Sequence, residues 1–126
     1  MTHVLYILMR TDMDSMNPGK AMAQAAHAAN AFWFNGRISA VRQWAAQTQQ
    51  GFGTTIVLDV TEPQLKHIVG KGIELGFAAE CILDPTYPVR DGKTTHYIPV
   101  VTCGYIFGNK EDWALIHLLD GLELHK

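Results

Sequence analysis

Apolar and polar positions change period several times along this chain, and each change marks an element. Between Val4 and Arg10, VLYILMR is an almost unbroken apolar run of strand length, the pattern of a strand covered on both faces. The polar turn RTDMDS ends it. Asn17-Pro18 then opens a helix, because Asn caps well and Pro suits the first helical position, where its missing N–H would have no partner. This helix is expected to run to about Trp33, with Asn35-Gly36 as its stop, and ISAVRQWAAQTQQ reads as a second, short helix before Gly51. GTTIVLDV predicts a second strand. Thr61 caps a third helix with Leu65, Ile68, Val69, Gly72 and Ile73 on one face, and Gly76 ends it. A third strand, AAECILD, is expected to stop at Asp84, and DPTYPVRDGKTT (84–95) has the turn chemistry of a long loop. Such loops in compact domains are more often functional than idle. YIPVVTCGYIF predicts a fourth strand, and Leu115, Leu118, Leu119 and Leu122 line one face of a final helix.

Strands alternating with helices predict an α/β fold, a three-layer α/β/α sandwich around a four-stranded sheet. The link between the third and fourth strands is too loop-like for a crossover helix. That pair is therefore expected to be antiparallel or separated, which makes the sheet mixed.

Composition narrows the class without naming a function. With 126 residues, 48% hydrophobic and 17% charged, the chain suits one domain with one core. No apolar run reaches the roughly 18 residues that span a bilayer. The start, MTHVLYILMR, lacks the basic region and cleavage site of a signal peptide, so the expected location is the cytoplasm, with no membrane partner. A net charge of -2 gives no global basic field, which argues against tight non-specific nucleic-acid binding but leaves room for a local patch. Cys81 and Cys103 are too few for a disulfide framework and are expected to be buried, reduced thiols. The remaining histidines (His3, His67, His96, His117 and His125) show no metal-ligand spacing, and neither a metal nor any other cofactor is expected.

The informative stretch is SMNPGKAMAQAAHAAN, residues 15–30. At 100° per residue, Lys20, Gln24 and His27 share roughly 60° of arc on an otherwise alanine-rich helix. A polar stripe is ordinarily a solvated face. Here it begins in the first turn of a helix that follows a strand, where free N–H groups and the helix dipole favour an anion. Asp or Glu would suit that turn better for stability, so Lys20 points to a bound phosphate or oxyanion. The glycine spacing of a Walker loop is absent, as are a Gly-x-Ser-x-Gly elbow and a His-Glu-x-x-His pair.

LMRTDMDSMNPGKAMAQAAHAA resembles the N-terminal signature of the type-2, archaeal and eukaryotic-type, peptidyl-tRNA hydrolases: a strand ending in Arg-x-Asp, a turn, then Gly-Lys-x-x-x-Gln-x-x-His-Ala on the first helix. ILD at 82–84, with a later Thr and Pro, resembles the family's third-strand Asp and following Thr-x-x-x-Pro. The similarity extends over most of the chain, making residues 1–126 one domain of this type, while IPVVTCGYIFG lacks the family's small Gly-Ser/Thr-x-Thr run after the proline, which suggests a divergent bacterial or phage-like branch. It implies hydrolysis of the ester between a peptide and the 3′ ribose of tRNA, by water, without a metal.

That chemistry needs an activated water, a stabilised oxyanion and help for the leaving hydroxyl. On the resemblance, Lys20, His27, Asp84 and Thr95 are the expected catalytic residues, and Arg10, Asn17, Gln24 and Thr86 the expected substrate contacts. Lys20 would sit near the oxyanion or terminal phosphate and Asp84 would orient or deprotonate water. Its threonine partner is Thr95 or Thr86, with Thr94 and Thr102 also able to fill the place. His27 either relays a proton or positions its neighbours, and Arg10 either pairs with Asp12 or meets tRNA phosphates. Arg90 and Lys93 form a basic lip or a solvated loop. Phe32, Trp33, Phe34 and Trp44 are expected in the core rather than as base-stacking platforms. The partner is peptidyl-tRNA, and homodimerisation is left open. The alternative is a catalytically silent member of the fold that binds RNA, a partner protein or a small ligand in the same cleft.

Overall fold

The computed structural model describes residues 3–126, and all their side chains but that of Ile38. The order is β1 (His3–Arg10), α1 (Pro18–Asn35), α2 (Ile38–Ala45), β2 (Thr55–Val60), α3 (Glu62–Glu74), β3 (Ala78–Asp91), β4 (Thr94–Asn109) and α4 (Trp113–Leu119). The four strands form one mixed sheet in the order β2-β1-β4-β3. β1 and β2 are parallel, while β4 is antiparallel to both β1 and β3.

Alternation along β1 divides the core into two layers. Leu5, Ile7 and Met9 pack with Ala21, Ala28 and Phe32 of α1 and with Val41 and Trp44 of α2. Leu8 faces the other way, towards Leu65, Ile68 and Val69 of α3 and Leu115 of α4. The buried alanines of α1 let this helix lie close to the sheet, which brings its polar stripe up to the neighbouring strand. On α3 the space is tighter still: a Cβ on Gly104 of β4 would come within 2.7 Å of both the Glu80 carbonyl oxygen and Leu65 Cδ1.

Capping follows the sequence. Asn17 Oδ1 accepts from Lys20 N at 2.9 Å with Pro18 in the first turn, and Thr61 forms a capping box with Gln64. Four smaller expectations are corrected first. α2 ends at Ala45 rather than near Gln50, because the side chains of Gln47 and Thr48 bind backbone groups of His3, Phe52 and Thr54 and so compete with helix formation. Ile73 is exposed, since it lies at about 80° from Leu65 on the α3 cylinder, off the buried stripe. Trp33 and Phe34 are also exposed, whereas Phe32 and Trp44 are buried and meet edge to face at 5.5 Å. Cys103 is buried but Cys81 only half-buried, and the two face opposite layers of the core.

The largest correction is the segment 84–95. It is no loop: β3 continues to Asp91, turns at Gly92-Lys93, and returns as β4 from Thr94. Gly92 has φ +60°, which suits the first central position of a II′ hairpin turn. Pro85 and Pro88 are tolerated because β3 is an edge strand, and the register shifts between Asp84 and Tyr87, leaving Pro85 and Thr86 out of the ladder.

Candidate active site at the seam between α1 and β3

β3 runs antiparallel to the polar stripe of α1, so the two make contact like rungs. At the first rung, Lys20 Nζ donates to Pro88 O at 2.8 Å and to Ser15 O at 3.0 Å, and lies 5.0 Å from the Tyr87 ring centroid. One helical turn on, Gln24 Nε2 donates to Asp84 Oδ2 at 2.7 Å. Further along, Asn35 Nδ2 donates to Glu80 Oε1 at 3.0 Å. The Lys20–Pro88 and Gln24–Asp84 contacts thus fall on one seam, their α1 residues about 6 Å apart along the helix axis by the rise of four residues.

Asp84 is held on both oxygens. Thr86 N donates to Oδ1 at 2.9 Å, supported by Thr86 Oγ1 at 3.4 Å, while Gln24 holds Oδ2. The carboxylate can only accept, so the amide nitrogen of Gln24 must face it and Oε1 must face inward. There it accepts from the fully buried Thr102 hydroxyl at 2.5 Å. Burial pushes the Asp84 carboxyl up, but the bonds from Gln24 and Thr86 and the charge of His27 outweigh it and hold the group below its ordinary value. Asp84 is an ionised carboxylate at neutral pH.

Lys20 has a different environment. It is half-buried, its Nζ partners are neutral carbonyls, and no ion pair forms to it among the described residues. Two of its three N–H groups are used, leaving one for a ligand. It borders an open cleft of about 640 Å³ together with Asp14, Ser15, Asn17, Pro88, Val89, Arg90 and Thr95. Asp14 is the acid among these lining residues.

The sequence-derived residues therefore fall into two sets, with Arg10 apart from both. Lys20, Asn17 and Thr95 lie around the cleft, with Asn17 also serving as the α1 cap. Gln24, Asp84 and Thr86 form the neighbouring hydrogen-bonded set, and exposed His27 is near it. Among the threonines, Thr86 touches Asp84 and Thr102 reaches it through Gln24. Thr95 does not; it pairs with Arg90 on the hairpin. Gln24, 3% exposed, has its amide turned to Thr102 and Asp84 rather than outward. Arg10 belongs to neither set: its Nε binds Asp12 at 2.9 Å, its Nη1 binds Val101 O at 2.9 Å, and Glu62 lies at 3.4 Å. It fastens the end of β1 to α3 and β4 rather than presenting itself to a phosphate. Tyr87 was not singled out by sequence. Its hydroxyl lies 3.2 Å from Ser15 Oγ, and its one local signal is an aromatic ring between prolines in PTYP. Among the described residues, no group of three or more His, Cys, Asp or Glu side chains is placed to hold a metal ion, and no helix is long and apolar enough to cross a membrane.

The family model for peptidyl-tRNA hydrolase PTH2 matches residues 3–112, a span that takes in both halves of the seam. The chain belongs to the PTH2 family. No curated protein sequence is significantly similar to it. Among solved structures, a protein of unknown function from Agrobacterium tumefaciens strain C58 aligns over 100% of this chain and 99% of its own, with a TM-score of 0.55 and 11% identity. At that identity the likeness is one of fold. Family membership supports peptidyl-tRNA hydrolase activity at the level of the PTH2 family as a whole.

Proposed function

We propose that this PTH2 member hydrolyses peptidyl-tRNA by direct attack of water on the ester, with Asp84, Lys20 and His27 as the working groups. The observation that carries the reading is the Thr102–Gln24–Asp84 hydrogen-bond chain, which holds an ionised carboxylate one turn of α1 from an ammonium with no acidic partner among the described residues. Asp84 keeps a lone pair for a water and orients it for attack. Lys20 offers its third N–H to the oxyanion or to the terminal phosphate, where a fixed positive charge lowers the barrier most. The water oxygen bonds to the ester carbon, the bond to the ribose 3′ oxygen breaks, and the water's proton reaches that oxygen by way of Asp84 and His27. Gln24 and Thr86 act through Asp84 as positioning residues.

The test is release of free tRNA from peptidyl-tRNA, run with and without a chelator. Release is expected in both, and Lys20→Ala and Asp84→Ala should each slow it by at least about 10²-fold. Wild-type rates in both variants would refute the site. Retention of labelled peptidyl-tRNA by the wild-type protein with no release would instead identify a silent binding protein.

A further inference from the structure

β4 pairs with β1 only as far as Cys103 opposite Met9, whereas β3 and β4 stay paired to Asp91 and Thr94. Beyond the sheet they therefore continue as a two-stranded ribbon. Such a ribbon is marginal alone in water. Its base is pinned by fully buried Tyr87, bonded to Ser15, and by the Lys20 ammonium on Pro88 O. Every residue from Arg90 to Pro99 is exposed. The sequence of the tip gives the fold no reason to keep these side chains as they are.

The pairings Arg90↔Thr95 and Pro88↔Tyr97 put Arg90, Thr95 and Tyr97 on one face of the ribbon. Arg90 and Thr95 also border the cleft beside Lys20. Arg90 makes one weak bond to Gly92 O at 3.3 Å and no ion pair among the described residues, which leaves most of its guanidinium edge available. Asp91 lies 3.7 Å from His96, an ion pair only when the histidine is protonated, and Lys93 adds a cation at the turn. Tyr97 is 67% exposed. A largely available guanidinium and an uncovered aromatic ring on one face, leading to a lysine with no acidic partner among the described residues, complement a single-stranded nucleic acid: phosphate on the cation, an unstacked base on the ring.

We propose that the β3–β4 ribbon is an RNA-binding arm that takes the single-stranded 3′ end of the substrate, with Arg90 on a phosphate and Tyr97 under a base. The proposal rests on the reading above that the substrate is an RNA ester, and it adds residues that set RNA affinity without touching the reacting atoms.

The probe is a fluorescently labelled single-stranded RNA ending in CCA, titrated into the full-length protein. Tyr97→Ala and Arg90→Ala should each weaken binding roughly tenfold, Tyr97→Phe should restore it, and Arg90→Ala should reduce the salt slope by about one. With peptidyl-tRNA, the two alanine variants should raise KM by a similar factor and leave kcat within about twofold. Equal binding by wild type and variants, or none by wild type, would overturn the arm. The two readings can fail separately: hydrolysis with unchanged KM in both variants sinks the arm alone, while arm-dependent RNA binding without hydrolysis sinks the hydrolase alone.

Discussion

Gln24 is the residue whose replacement most directly tests why Asp84 is where it is. Leucine has a similar volume, so Gln24→Leu keeps the packing of α1 on β4 and removes two hydrogen bonds, those to Asp84 at 2.7 Å and from Thr102 at 2.5 Å. The bond to the carboxylate is charge-assisted, worth about 1.5–3 kcal/mol, and the stranded Thr102 hydroxyl costs a further 1 kcal/mol or so because it is fully buried. Thr102 can fall back on Cys103 Sγ at 3.8 Å, a poor acceptor that offsets little. The expected loss is about 2–4 kcal/mol, or roughly 10 °C in Tm for a chain of this size. Peptidyl-tRNA turnover should fall by about 10- to 100-fold as Asp84 loses its orientation, and the acid limb of the rate profile should move to higher pH as the carboxyl loses a bond that favours its charged form.

The double variant Gln24→Leu/Thr102→Val separates the two effects. Removing both partners leaves no orphaned hydroxyl, so much of the Thr102 part of the stability loss should return. Turnover should not, because Asp84 still lacks its donor. Urea denaturation read beside single-turnover hydrolysis measures both. A Gln24→Leu protein with wild-type Tm and turnover, or strictly additive losses in the double variant, would refute the claim that the buried chain positions the carboxylate.

Two further predictions concern stability. Burial raises the Asp12 carboxyl, yet the Arg10 hydrogen bond and charge and the Glu62 N–H together hold it below its ordinary value, as with Asp84; stability from both is present above pH of about 4 and lost as pH falls through the lowered native values. Asp12→Asn should therefore flatten the fall of the urea midpoint below about pH 4, and an unchanged slope would exclude Asp12 as a source of it. Gly104→Ala places a methyl group against a backbone carbonyl and Leu65 Cδ1, both 2.7 Å away; it should destabilise by about 1–3 kcal/mol in the same assay, and a neutral result would mean that α3 can move off the sheet.

Much of this molecule was readable in its sequence because local chemistry and tertiary demand agree there. Asn17-Pro18 starts α1 through a cap that needs no distant partner, and the apolar runs of β1 and β2 have no other use than burial. The seam was half readable. Lys20, Gln24 and His27 share a helix face by periodicity alone, but which strand lies along that face depends on β3 occupying the sheet edge, and helical period carries no information about sheet order. Segment 84–95 misled because Pro85, Pro88 and Asp91-Gly92 are turn residues by composition, whereas an edge strand tolerates prolines on its open side and needs only Gly92 to turn back. The same edge position is what links fold to chemistry. A strand paired on both sides at this point could not have offered Asp84 an irregular ladder with Thr86 folded back onto its carboxylate. The irregularity that hid the strand from sequence patterns is the feature that builds the carboxylate's surroundings.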